Sequence, residues 1–254
     1  MNIYKRIKDS LVHEADKIRV DEVRIGLGYT AVLLEDGRAG VALTFHEGPR
    51  RGCTVFKGHY PLAGGSASEL LDFLDSGDTV EAAVGLATAN ALSNTPKENL
   101  HEGDILEILP LRPDDQVGMV GFFAPILPKL KKRTSSIFIF EKIPEKQGDI
   151  LPEQEAYRLL PRCQVALITS TTLLNHTLER LLEAASPCRE VVLLGASTPL
   201  LPETFRETPV TRLSGVIVTN PGEILRIVSE GRGMRYFKGH VKKVNLDLKR
   251  QEAY

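Results

Sequence analysis

Residues 164–195 read QVALITSTTLLNHTLERLLEAASPCREVVLLG. An apolar run without alternation (164–169) opens into Ser170-Thr171-Thr172, a helical pattern follows in LLNHTLERLLEAAS, and a second unalternated run, VVLLG, closes the stretch. A strand with one wet face alternates, so strands that do not alternate are covered on both faces, as in a parallel sheet with crossover helices. VGMVGFF (117–123), SIFIF (136–140) and GVIVT (215–219) repeat the pattern. Residues 111–254 are therefore predicted to form a Rossmann-like, doubly wound, mostly parallel α/β domain.

Residues 1–110 read differently, as a smaller α+β domain. Ile3, Ile7, Leu11 and Val12 share one helical face near the start. VRIGLGYTAVLL and AGVALTF read as two strands joined through Glu35-Asp36-Gly37-Arg38, where Asp-Gly suits a hairpin turn. Residues 47–65 are rich in Gly and Pro and read as loop. Ser66 or Ser68 is placed to cap SASELLDFLD, and Asp78 to cap TVEAAVGLATANALSN. From Ala82 to Leu92 only Thr88 and Asn90 are polar and small residues dominate, so this helix is expected to be packed on most sides with close backbone approach. LPLRPDD (109–115) is the linker candidate, and the tail VKKVNLDLKRQEAY either adds an edge strand or frays.

With 254 residues, 42% hydrophobic and 26% charged, the composition is that of a soluble globular protein. Lys and Arg (32) nearly cancel Asp and Glu (33), and there is no tryptophan, so neither a nucleic acid nor a membrane is expected as partner. The charged N-terminus lacks the apolar core of a secretory signal, which points to the cytoplasm. Three widely spaced cysteines without a CxxC suit reduced thiols. Cys53 with His46 and His59 is the one metal-ligand option in the sequence. An open sheet edge and the tail leave room for a homodimer.

In an open parallel sheet the ligand crevice lies past the carboxyl ends of the strands. Those positions hold Gly121-Phe122, then Glu141 about twenty residues on, where an acid bonds ribose hydroxyls in nucleotide-binding relatives of the fold or stands as a hydrated surface acid. They also hold Ser170, Thr171 and Thr172, with Asn175 and His176 at the start of the next helical pattern; one hydroxyl serves as a cap and the others are free for a polar ligand. Gly195, Ser197 and Thr198 follow the fourth run. Asn220-Pro221-Gly222-Glu223 follows the fifth, with Asn220 as the helix cap and as a further strand-end candidate for ligand contact. There is no Walker loop, GxSxG elbow or HExxH motif.

The runs EAAVGLATANALSN (81–94), VGMVGFFAPILPKL (117–130), VALITSTTLLNHTLERLL (165–182), VVLLGASTPLLP (191–202) and LSGVIVTNPGEILRIV (213–228), in this order, resemble the putative heavy-metal chelation domain family. The resemblance implies an enolase-N-terminal-like domain followed by a Rossmann-like one, and a pocket between them for a pterin-, flavin- or siderophore-like molecule or a metal chelate, with its condensation, hydrolysis or modification as the accompanying chemistry. It places Asn90 opposite the loops at Gly121-Phe122, Ser170–Asn175 and Gly195–Thr198. It leaves the cofactor open between S-adenosylmethionine, as in a methyltransferase, and a metal chelate, and admits a non-catalytic metal-binding module. Hydroxyls and amides at the strand ends are not what heavy metals prefer, so metal is expected to arrive bound to an organic chelator.

Overall fold

The computed structural model describes residues 2–45, 55, 56 and 58–248. Its first element, α1 (Ile3–Ala15), is capped by Asn2, whose side chain accepts from the Lys5 N–H. Ile3, Tyr4, Ile7, Leu11 and Ala15 form the buried stripe. Val12, expected on that face, is 43% exposed because it lies a further 100° round the helix from Leu11.

Three strands follow where two were expected. VRIGLGYTAVLL is itself a hairpin, β1 (Val20–Ile25) and β2 (Tyr29–Leu34), turned at Gly26-Leu27-Gly28, and β3 (Ala39–Leu43) completes an antiparallel sheet in the order β1-β2-β3. The expected turn at 35–38 joins β2 to β3. After α2 (Ala67–Leu71), capped by Ser66, comes α3 (Thr79–Ser93), where the Asp78 carboxylate accepts from the N–H groups of Val80 and Glu81. This helix is buried from Ala82 to Ser93. It lies so close to β3 that a Cβ on Gly40 would sit 2.2 Å from Ala87 O and from Ala91 N, which only a glycine there permits.

The larger sheet has eight strands in the order β4-β11-β10-β9-β8-β5-β6-β7. Six of them are parallel: β5 (Gln116–Val120), β6 (Ser136–Glu141), β7 (Ile150–Pro152), β8 (Val165–Thr169), β9 (Glu190–Leu194) and β10 (Arg212–Val218). The tail forms β11 (Val241–Asp247), antiparallel to β10, and β4 (Leu100–Glu102), contributed from ahead of the 109–115 segment, pairs outside it. The chain winds from β5 outward through β6 to β7, then returns to build β8, β9 and β10 on the other side, which is the doubly wound order.

Each face of this sheet is covered. Val117, Met119, Val165, Leu167, Val192 and Leu194 pack under α4 (Ile105–Ile108) and α5 (Leu127–Leu130). Val120, Phe140, Ala166, Ile168, Val191 and Leu193 belong to the core shared with α6 (Ala156–Leu159), α7 (Leu178–Ala184), α8 (Pro202–Phe205), α1 and α3. The small sheet joins the large one through Ala31 and Val41, which pack with Val216 and with Ile224, Ile227 and Val228 of α9 (Pro221–Ser229). No helix among the described residues is long and apolar enough to cross a membrane.

Candidate functional site

The winding reverses between β5 and β8, so a crevice opens past Val120 and Thr169. Gly121 turns the chain there at φ +91°, and a Cβ on it would lie 2.9 Å from Thr169 Cβ. Glu141, at the end of β6, reaches back into this loop. Its Oε2 accepts the Phe122 N–H (2.9 Å) and its Oε1 the Lys142 N–H (3.0 Å), so the carboxylate is held by backbone donors.

The hydroxyls after β8 turn mostly inward. Thr169 and Thr171 share a hydrogen bond of 2.9 Å, and the Thr172 hydroxyl donates to Thr169 O over 2.6 Å. Ser170 Oγ is buried with no partner among the described residues, and Gly195, at φ +129°, comes so close that a Cβ would lie 2.9 Å from it. The helical pattern in LLNHTLERLL starts later than expected: residues 170–173 form a single 3-10 turn, His176 takes a left-handed φ of +58°, and α7 begins only at Leu178. Asn175 Oδ1 accepts from Thr177 N–H and Oγ1.

The loop after β9 is a joint between the two sheets. Ser197 Oγ accepts the N–H of Leu43, the last residue of β3 (2.9 Å). The Thr198 carbonyl takes a hydrogen bond from Asn94 Nδ2, and Asn94 Oδ1 takes the Leu200 N–H. Ser197 and Thr198 are buried, and Thr198 Oγ1 has no partner among the described residues. Asn90 faces β3, donating from Nδ2 to Val41 O (2.8 Å), with Oδ1 buried and without a partner among the described residues. Asn220 caps α9, accepting the Glu223 N–H.

What opens to solvent is a cleft of about 290 Å³. Its walls are Tyr29 from the small sheet, Phe122, Phe123 and Ile126 after β5, Gly195 after β9, and Met234. Its polar groups are Asp104, Ser214 and Lys243. The structure thus brings Gly195 and Phe122 to one cleft and places Asn90, Ser197 and Thr198 in the joint behind it. Tyr29 meets Phe237 edge to face at 5.0 Å, and burial pushes its phenol up to about 12, so the ring stays neutral. Burial raises the Asp104 carboxyl, but the hydrogen bonds from Lys129 and the Leu106 N–H outweigh it and hold the group below its ordinary value. Asp104 and Glu107 stand beside the Lys129 and Lys243 ammonium groups, so the rim carries charges of both signs.

Sequence reasoning missed Asp104, Ser214, Lys243 and Tyr29. The Gly103-Asp104 pair ahead of ILEIL is a helix-cap signal that marks Asp104. Lys243 becomes visible only once β11 is set antiparallel to β10, where it lies opposite Val216.

A bare heavy-metal ion does not fit this cleft. Its donors are a carboxylate already paired with Lys129, a hydroxyl and an ammonium, whereas soft metals select thiolate and imidazole. Cys163 and Cys188 are buried among apolar side chains, and burial pushes their thiols up to about 11 and about 12. Among the described residues no three His, Cys, Asp or Glu side chains gather closely enough to hold a metal. His59 is exposed with its ring edge-on to Phe73 at 5.0 Å; His46 and Cys53 lie outside the described residues.

Two family models match the sequence, DUF4213 over residues 8–93 and DUF364 over residues 104–247, and both carry the description "Putative heavy-metal chelation". An uncharacterized protein of Methanocaldococcus jannaschii is 28% identical over 258 residues, covering 97% of this chain and 96% of that one. A crystal structure of a DUF364 protein of unknown function from Pyrococcus horikoshii superposes with a TM-score of 0.84 at 25% identity, over 97% of this chain and 100% of that one. Another, from Desulfitobacterium hafniense, gives 0.82 at 24% identity, over 96% and 97%.

Proposed function

Because this chain belongs to the DUF364 family, described as "Putative heavy-metal chelation", we propose that it binds an organic chelator or its metal chelate, rather than a naked ion, in the cleft between the two sheets. The observation that carries this reading is the lining: aromatic walls from Tyr29, Phe122 and Phe123 beside Lys243 and the Asp104–Lys129 pair. Flat apolar walls with a few converging polar groups suit a planar, partly apolar molecule with polar substituents. Pterin-, flavin- and siderophore-like molecules share that character. The metal is then cargo, held by donor atoms of the chelator, and the protein supplies shape, stacking surface and a charged rim.

Native and denaturing mass spectrometry of the purified protein, beside elemental analysis, tests this. The expected result is an organic molecule, with or without metal, that leaves on denaturation and is lost in Lys243→Ala. Stoichiometric metal without an organic partner, retained in Lys243→Ala and lost in a Cys53→Ser, His59→Ala double variant, overturns it and favours direct ligation by Cys53 and His59.

A further inference from the structure

A second cavity, of about 390 Å³, lies across the large sheet from the cleft. It opens past the carboxyl ends of β6, β7 and β8, and Glu153, Tyr157, Asn175, His176 and Arg180 are among its lining residues. Leu174 and Tyr157 in its wall pack with the core on the α6–α7 face, whereas Phe123 and Ile126 of the cleft pack with the core on the α4–α5 face. The two openings are therefore separate.

Two of the charges lining this cavity, Glu153 and Arg180, do not meet. Glu153 Oε1 is buried with no hydrogen-bond partner among the described residues. A buried carboxylate oxygen left unpaired is costly, and such a group in a native fold calls for a partner. Arg180 lines the same space and forms no ion pair with any described residue; its guanidinium carbon sits 4.6 Å from the Tyr157 ring centroid, over the face of the ring. The fold thus holds the Arg180 cation and the Glu153 anion in one cavity without joining them.

The remaining wall groups define the rest of the complement. Asn175 spends its Oδ1 on Thr177, so its Nδ2 is the end left to donate into the cavity. His176 Nε2 lies 3.0 Å from Ser76 O, and a carbonyl can only accept, so Nε2 carries a proton there and is spent on that contact. Arg180 and Asn175 as donors and Glu153 as acceptor therefore line the cavity, with the Lys142 ammonium as a further cation in its wall. We propose that this cavity is a ligand site for a small zwitterion, with a carboxylate or phosphate against Arg180 and Asn175 and an amine N–H against Glu153. The proposal is independent of the chelate reading of the cleft, since the two share no lining residue.

Calorimetric titration of the intact protein with L-glutamate, with phosphoethanolamine and with glutarate tests it. Saturable binding of at least one of the two zwitterions is expected, and which one binds distinguishes carboxylate from phosphate as the anionic end. Glutarate, which lacks the amine, is expected to bind at least about tenfold more weakly than L-glutamate if the carboxylate zwitterion is the one taken. Glu153→Gln and Arg180→Ala are each expected to weaken binding about tenfold or more. Arg180→Lys keeps the charge, loses the planar fork and serves as the second variant if the alanine protein melts early. Absence of binding by both zwitterions at millimolar concentration, or binding unchanged in both Glu153→Gln and Arg180→Ala, overturns the proposal.

Discussion

Asn94 fastens α3 to Thr198: its Nδ2 donates to the Thr198 carbonyl over 2.9 Å and to the Val216 carbonyl over 3.1 Å, while its Oδ1 accepts the Leu200 N–H over 2.8 Å. One buried amide at the end of a helix in the small part thus satisfies three backbone groups of the large one. Asn94→Ala strands those groups away from water. Allowing about 1 kcal/mol or more for each, the loss is about 2–4 kcal/mol, to be read as a lower urea midpoint at unchanged slope.

The same helix sets a second limit at Gly40. A Cβ there would meet the α3 backbone at 2.2 Å, and a backbone cannot swing aside as a side chain can. Gly40→Ala must push β3 away from α3, at a cost of about 3 kcal/mol. Equilibrium unfolding checks this; a stability within experimental error of the parent would mean that the strand and helix are not packed this closely.

Those two contacts also show what the sequence could and could not reveal. The five unalternated runs are five parallel strands, because burial on both faces leaves its mark in every residue of the strand. Asp78 and Asn220 cap the helices expected of them, since capping is local chemistry. The strands β4 and β7 have three residues each, too few to carry a period, and the Gly26-Leu27-Gly28 turn was hidden inside what reads as one long strand. The Ser197-Thr198 pair could be read as polar and strand-terminal, but its partners Leu43 and Asn94 lie about 154 and 104 residues away, and only the fold brings them together. Likewise Tyr29 and Lys243 meet in the cleft from opposite ends of the chain.

Arg212 is buried between Glu190 and Asp247 at the amino ends of β9 and β10, donating to both carboxylates. Removing it leaves two acids facing each other in a low-dielectric site. Arg212→Leu is expected to cost about 3–5 kcal/mol, and Arg212→Leu with Glu190→Gln less than the single change, because only one of the two buried carboxylates then still carries a charge. A double-mutant cycle by denaturant unfolding measures the difference. Additive losses would mean that the pair does not interact.

Cys163 and Cys188 give the protein an alkaline limit. Burial lifts both thiols from an ordinary value of 9.0 to about 11 and about 12, so in the folded state they keep their protons after the unfolded chain has lost them. A folded value raised in this way means that the stabilisation is complete below pH 9.0 and falls as the pH climbs toward 11 and 12, since the unfolded state then binds fewer protons. The slope of unfolding free energy against pH from 9 upward is expected to be negative and to flatten in the Cys163→Ala, Cys188→Ala variant. In Cys53→Ser protein, a disulfide reagent at neutral pH should find the two remaining thiols only after denaturant is added.

Phe122 separates binding from stability. It is 46% exposed at the lip of the cleft, so truncating it removes little from the core, and Phe122→Ala should shift the unfolding free energy by about 0.5 kcal/mol or less. Its ring nevertheless forms part of the apolar wall that the chelate reading requires. Losing an aromatic face from a bound planar molecule removes about 1.5 kcal/mol of apolar contact, or roughly tenfold in affinity. The amount of organic molecule retained through gel filtration, compared between parent and variant at equal melting temperature, reads this directly. Equal retention would place the molecule outside this cleft.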